Sequence, residues 1–132
     1  MAKLTADQKG FLTAQSFGHI ATLNKDGSPQ VSPVWVDVDG DTVIVNSEEK
    51  RLKIQNVKRD PRVSLSIQDP ANPYRYLEIR GKVTDIRKEG AFEHIDKMAK
   101  KYMGQDKYPY NQPDDVRVLL TIEPKRIVQP MG

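Results

Sequence analysis

Apolar residues alternate with polar ones along much of the chain, which is the pattern of half-buried β-strands. The clearest case is the stretch 62–68, where Val63, Leu65 and Ile67 occupy every second position. The same pattern predicts six to seven strands: Phe17 to Leu23, Gln30 to Val38, Thr42 to Asn46, Arg62 to Gln68, Tyr74 to Ile86, Val116 to Ile122 and a short Arg126 to Gln129. Because these strands follow one another at hairpin distance, we expect one antiparallel sheet that curls into a small barrel.

Glycine and proline residues mark the turns and irregular positions of this sheet. The dipeptides Asp26-Gly27 and Asp39-Gly40 predict tight turns, since glycine tolerates a positive φ. Pro33 donates no ladder hydrogen bond, so its strand is expected at a sheet edge or with a local bulge. Gly81 lies inside the strand Tyr74 to Ile86, where it predicts a bulge or a sharp bend.

Helical periodicity predicts about three helices beside the barrel. The first runs from Thr5 to about Gln15, and a short second helix begins after Ser47, which can cap it, and ends before Pro61. The third runs from Glu89 to Met103. Its apolar stripe consists of Ala91, Phe92, Ile95, Met98, Ala99, Tyr102 and Met103. The predicted fold class is therefore mainly β, a β-barrel with flanking helices in one domain spanning residues 1–132.

Basic residues collect around the start of the second helix. On a helical wheel of about 100° per residue, Arg51 and Lys53 lie roughly 200° apart and cannot point at one ligand. If both bind one anion, Arg51 must precede the helix, and the anion then sits at a helix N-terminus between two cations. The alternative is a solvated basic helix that covers one end of the barrel.

Composition narrows the classes of partner. The chain has 132 residues with 37% hydrophobic content, a net charge of +3 and a pI near 9.1, which is too mildly basic to argue for nucleic acid. It has no cysteine, so disulfides, thiolate nucleophiles and Cys-ligated metal sites are excluded. No stretch resembles a signal peptide or a membrane span, and we expect a cytoplasmic protein.

Motifs for self-contained catalysis are not found in the sequence. It contains no G-x-S-x-G elbow, no P-loop and no G-x-G-x-x-G. His19 and His94 lie far apart, and neither has evident partners for base or metal chemistry. Trp35 is expected in the core or at a dimer contact. The strand carboxylates are expected to face solvent, namely Asp37, Glu78 and Asp85. The sequence thus indicates a binding protein, or an enzyme whose cofactor performs the chemistry.

Four motifs, in order, carry a family resemblance. They are Gly27-Ser-Pro-Gln-Val-Ser-Pro-Val-Trp35, then Arg51-x-Lys53-x-x-Asn56-x-x-x-Asp60-Pro61-Arg62-Val63, then Glu78-x-x-Gly81-x-Val83, then Lys101-Tyr-Met-Gly104. This series resembles the pyridoxamine 5′-phosphate oxidase-like superfamily of flavin- and deazaflavin-binding proteins. Within it, the chain is most similar to short oxidoreductases that use the deazaflavin coenzyme F420.

The resemblance implies a split β-barrel homodimer with two cofactor sites at the subunit interface. It implies that Arg51 and Lys53 hold the cofactor phosphate and that the strand 32–35 lies along the tricyclic ring. It also implies that Gln68 reaches the site of the partner subunit. The full set of implied cofactor-binding residues is Ser32, Pro33, Val34, Trp35, Asn46, Ser47, Arg51, Lys53, Asn56 and Gln68.

The function implied by the resemblance is hydride transfer between F420 and an electron-poor small molecule. An FMN-dependent oxidase or reductase on the same scaffold is the first alternative, and a non-catalytic cofactor-binding protein is the second. A nucleic-acid-binding barrel is a third, disfavoured by the placement of the aromatic residues. The residues that bind pyridoxal phosphate in the true oxidases are not evident. An anionic F420 tail would suit Lys50, Lys58 and Arg59, although a solvated basic face is the better explanation for any one of them.

Overall fold

The fold is given by a computed structural model of the chain, which describes residues 2–130. Its three helices are α1 (Ala6–Thr13), α2 (Leu52–Arg59) and α3 (Ala91–Met103). Its seven strands are β1 (Phe17–Leu23), β2 (Pro29–Trp35), β3 (Asp37–Asp39), β4 (Thr42–Glu48), β5 (Arg62–Asp69), β6 (Asn72–Arg87) and β7 (Arg117–Val128). No helix among these is long and apolar enough to cross a membrane.

All seven strands belong to one antiparallel sheet in the order β2-β1-β5-β6-β7-β4-β3. The sheet does not close, so β2 and β3 form its two edges. This is the split barrel that the family resemblance implies, and the mainly-β fold prediction is confirmed. Residues that fill the core include Ile20, Leu65, Ile67, Leu77, Ile79, Leu120 and Ile122.

Two irregular positions of the sheet agree with the prediction. Pro33 lies on β2, which is an edge strand and so loses no ladder bond on its outer side. The register of β6 against β7 shifts between Arg80 and Gly81. At Gly81 a Cβ atom would collide with the carbonyl oxygen of Glu123, so the two backbones can approach this closely only because residue 81 is glycine.

The predicted strand Gln30 to Val38 is divided into β2 and β3 at Val36. The backbone N–H of Val36 donates to the hydroxyl of Tyr102, and its carbonyl accepts from Nζ of Lys101. Two α3 side chains therefore satisfy the backbone groups that a continuous strand would place in its ladder. The hydrophobic pattern of the strand does not indicate that Lys101 and Tyr102 bond to Val36.

The prediction of two separate final strands was wrong, because 117–128 form the single strand β7. Pro124 lies inside it, opposite the bulge at Gly81, where a missing N–H is tolerated. The predicted cap at Ser47 was also wrong. Ser47 lies in β4, paired with Val118, and α2 begins after Arg51 without a side-chain cap.

Candidate functional site

A cavity of about 350 Å³ opens between the edge strand β2, the end of β4 and the start of α2. It brings together most of the predicted cofactor-binding residues, namely Ser32, Pro33, Val34, Trp35, Asn46, Ser47, Arg51 and Lys53. They come from two stretches of the chain, 32–35 and 46–53. The fold therefore assembles these two stretches around one concave surface.

Three cations line this cavity. Arg51 has extended backbone angles and forms the N-cap of α2, so it precedes the helix as a shared anion site requires. Lys53 lies in the first turn of α2, and its Nζ lies 3.3 Å from the hydroxyl of Ser32, to which it donates. Arg117 enters from the first position of β7. Within residues 2–130, none of the three forms an ion pair with a carboxylate.

Two of these three cations are buried, whereas Arg51 is exposed. Lys53 and Arg117 keep 9% and 8% of their surface exposed. Burial lowers the pKa of Lys53, and the neighbouring charges of Arg51 and Arg117 lower it further. Burial likewise lowers the pKa of Arg117. Partly desolvated cations without carboxylate partners are stabilised by an anion, so the cavity suits a phosphate-bearing ligand.

An aromatic cluster forms the other wall. Trp35 stacks on Tyr102 with ring centroids 4.9 Å apart and planes 5° apart. Tyr108 meets Trp35 edge-on at 5.9 Å, and Phe17 at the cavity mouth is 56% exposed. Among residues 2–130, no strand pairs with the outer backbone edge of β2. A flat ring system could therefore find both an apolar surface and backbone hydrogen-bonding groups here.

Two of the predicted cofactor-binding residues lie outside this cavity. The amide of Asn56 is buried and donates to Thr22 Oγ1 and Asn24 Oδ1, each at 3.0 Å, which fastens α2 to β1. Gln68 is exposed, and its amide donates to the carbonyl of Pro73. A role for Gln68 in a partner's site stays a prediction.

The two histidines differ in their surroundings. His19 is exposed on β1 and does not line the cavity. His94, on α3, lies 3.0 Å from Asp37 (Nε2 to Oδ2), and Lys97 contacts the same oxygen at 3.2 Å. Asp37 was expected to face solvent, and this was wrong, because α3 packs over it and leaves it 9% exposed.

Arg117 and Tyr108 were not identified from the sequence. Arg117 is a charged residue directly before the apolar run Val118–Leu120, and that contrast is the one signal that could have marked it. Tyr108 lies in the loop 105–115, and its ring centroid is 5.3 Å from the Arg117 guanidinium. Such contacts depend on how α3 and the following loop fold back over the sheet.

The structure is thus an open split barrel with a cationic cavity beside its edge strand β2. The chain belongs to the pyridoxamine 5′-phosphate oxidase family, whose model matches residues 4–129. A solved F420 reductase is similar to it at 35% identity and a TM-score of 0.79, covering 91% of this chain and 94% of that one.

Other similar structures have lower identity and support the fold alone. A candidate pyridoxamine 5′-phosphate oxidase from Listeria innocua has 23% identity and a TM-score of 0.68, with 93% and 94% of the two chains covered. General Stress Protein 26 from Bacillus anthracis has 17% identity and a TM-score of 0.67, with 91% and 88% covered. The same split barrel thus occurs in proteins that have different names.

Proposed function

We propose that the protein is an oxidoreductase that binds coenzyme F420 and transfers hydride between it and an electron-poor small molecule. The observation that supports this most directly is the set of three cations Arg51, Lys53 and Arg117, which form no ion pair with a carboxylate among residues 2–130 and of which Lys53 and Arg117 are buried. They lie beside an unpaired strand edge and an aromatic wall. Phosphate, ring and backbone contacts would then all be available within one cavity.

Each group has a distinct part in this proposal. Arg51 and Lys53, at the N-terminus of α2, would bind the phosphate through charge-assisted hydrogen bonds and the helix dipole. The β2 edge at 32–35 would orient the ring, and the aromatic wall around Trp35 would exclude water from one of its sides. A bound deazaflavin supplies a hydride donor that works in two-electron steps. The protein's own contribution is to hold donor and acceptor at reacting distance.

The choice of F420 over FMN is supported by the similarity to the F420 reductase at 35% identity. The two cofactors share the tricycle and the first phosphate, so the cationic cavity suits both. The F420 tail is longer and anionic. Of the basic residues considered for it, Arg59 is already bonded to the carbonyl of Leu23 and to Asn56, whereas Lys50 and Lys58 are exposed. FMN is the alternative cofactor.

Paired titrations of the purified protein with F420 and with FMN, followed by fluorescence and calorimetry, test this choice. We expect micromolar or tighter binding of F420 and clearly weaker binding of FMN. The reverse preference would assign the protein to the FMN alternative, and binding of neither would remove the cofactor proposal. Loading with reduced F420 and screening activated C=C and C=N acceptors then separates an enzyme from a non-catalytic binding protein.

We also propose a homodimer in which the partner completes the site. The support is apolar exposure around the cavity and β2: Phe17 is 56% exposed, Val31 65% and Tyr110 64%. Gln68 stays the predicted contribution from the partner. A cytoplasmic location likewise stays a prediction.

A further inference from the structure

A chain of hydrogen bonds leads from the cavity into the contact between α3 and the sheet. Nε of Arg117 donates to Oδ1 of Asn46 at 2.9 Å. The amide nitrogen of Asn46 donates to the carbonyl of Ala91 at 2.7 Å and lies 3.2 Å from Nδ1 of His94. Nε2 of His94 lies 3.0 Å from Oδ2 of Asp37. Four elements of the fold thus meet in one polar network.

The donors and acceptors in this network fix the tautomer of His94. The side chain of Arg117 has no acceptor, so the oxygen of the Asn46 amide must face it. The carbonyl of Ala91 has no donor, so the amide nitrogen must face that side, where it also meets Nδ1 of His94. That ring nitrogen must then be the unprotonated acceptor. The proton is on Nε2, which donates to Asp37, and every contact in the chain is satisfied with a neutral imidazole.

We propose that Asp37, His94 and Asn46 are positioning residues that hold the Arg117 guanidinium toward a bound anion. This inference rests on the proposed function, since the anion is that of the cofactor. Only Nε of Arg117 donates a hydrogen bond to the protein, and its two terminal nitrogens form no hydrogen bond with residues 2–130. Asn46 fixes the direction of the guanidinium from one side while the Tyr108 ring covers it at 5.3 Å. Two terminal N–H groups of a fixed guanidinium match the geometry of a phosphate.

The alternative is that the His94–Asp37 contact only anchors α3 to the sheet. Lys97 offers a matched control, because it donates to the same Asp37 oxygen at 3.2 Å but does not contact Asn46. If anchoring of α3 is all that matters, Lys97→Met and His94→Ala should have similar effects. If the hydrogen-bonded network positions Arg117, His94→Ala should weaken cofactor binding in the cavity and Lys97→Met should not.

The first test is NMR on the intact, ligand-free protein. Nitrogen-15 spectra should give the Nε2–H tautomer of His94 at neutral pH, and the Nε–H of Arg117 should exchange slowly with solvent. An Nδ1–H tautomer in the wild type would overturn the proposal, as would an Arg117 Nε–H whose exchange is unchanged in His94→Ala.

The second test measures binding of F420 and FMN. His94→Ala should weaken binding of whichever cofactor the wild type holds by about tenfold. His94→Asn, whose carbonyl can accept from Asn46 in place of Nδ1, should restore affinity to within about threefold, and Lys97→Met should leave it unchanged. His94→Ala should add nothing further in an Arg117→Gln background, because both act on one contact. Additive losses, or full affinity in His94→Ala, would identify a purely structural role.

The two tests separate two kinds of failure. A wild type that binds neither cofactor contradicts the proposed function, while the NMR readouts still decide whether His94 and Asn46 orient Arg117. Thermal unfolding of each variant shows whether it is folded. His94→Asn serves as the folded comparison should His94→Ala be unstable.

Discussion

The two lysines of α2 have the same charge but opposite surroundings. Lys53 is buried in the cavity wall, where burial first and the nearby arginines second lower its pKa, whereas Lys58 is exposed. We expect Lys53→Met to weaken cofactor binding by about 2–3 kcal/mol, since one charged hydrogen bond is lost. The same change should raise the free energy of unfolding without ligand, because a partly desolvated cation is removed. Calorimetric titration and urea unfolding measure the two effects.

Lys58→Met is the matched control on the same helix. It should change neither the cofactor affinity nor the free energy of unfolding appreciably. If Lys53→Met keeps wild-type affinity, the assignment of the anion site to the start of α2 is wrong.

Asp37 gives a prediction for the pH dependence of stability. Burial raises its pKa, but hydrogen bonds from His94, the N–H of Val38 and Lys97 outweigh burial and hold the pKa below the usual aspartate range. The ionised form therefore stabilises the fold above about pH 4, and this contribution is lost as the pH falls below that value. Asp37→Asn should lower the free energy of unfolding by about 2 kcal/mol at pH 7, and this difference should become smaller at acid pH.

Urea unfolding of both proteins at pH 7, 5, 4 and 3 measures this difference. A cost that is equal at every pH would mean that the carboxylate charge of Asp37 has no part in stability.

How far the sequence predicted the site depends on the distance between partners. Arg51 and Lys53 are two residues apart, and the helical wheel required Arg51 to precede α2 if both bind one anion; Arg51 does precede α2. The contact of Arg117 with Asn46 joins residues 71 positions apart, and that of His94 with Asp37 joins residues 57 positions apart. Nothing in either local pattern specifies such pairings, because they follow from the packing of α3 on the sheet.

The elements follow the same rule. Strand β1 was predicted with its observed bounds, since its alternation is a local property. The break at Val36 was not predicted, because its cause is hydrogen bonding from Lys101 and Tyr102 on α3. Val116 to Ile122 and Arg126 to Gln129 were predicted as two strands, whereas β7 continues through Pro124 opposite the Gly81 bulge. Pairing partners that are distant in sequence decided each of these cases.

The close approach of β6 and β7 at the Gly81 bulge can be tested by comparing two glycines, one with no room for a Cβ atom and one with open space around it. Gly81→Ala should lower the free energy of unfolding by about 1–3 kcal/mol, because its Cβ would collide with the backbone of Glu123. At Gly10 in α1 the new Cβ would meet no other atom, so Gly10→Ala should raise the free energy of unfolding by about 0.5–1 kcal/mol. Denaturant unfolding compares the two. A neutral Gly81→Ala would indicate that β6 and β7 separate without cost at this point.

At the scale of the whole molecule, the open sheet leaves the edge β2 and the cavity mouth uncovered. Val31 on β2 is 65% exposed and Phe17 in the cavity lining is 56% exposed, and apolar residues exposed together can mark a protein–protein contact surface. We expect a homodimer in solution, because closing this face would bury apolar surface from two copies at once. Light scattering and sedimentation measure the mass.

Val31→Lys should convert the dimer to a monomer, since a charge would have to be buried in the interface. Val31→Thr keeps the β-branched shape and should leave the dimer intact. If the partner also supplies part of the site, the monomeric variant should lose cofactor affinity although none of its cavity cations has changed. A monomeric wild type that binds cofactor tightly would contradict both the dimer and the shared site.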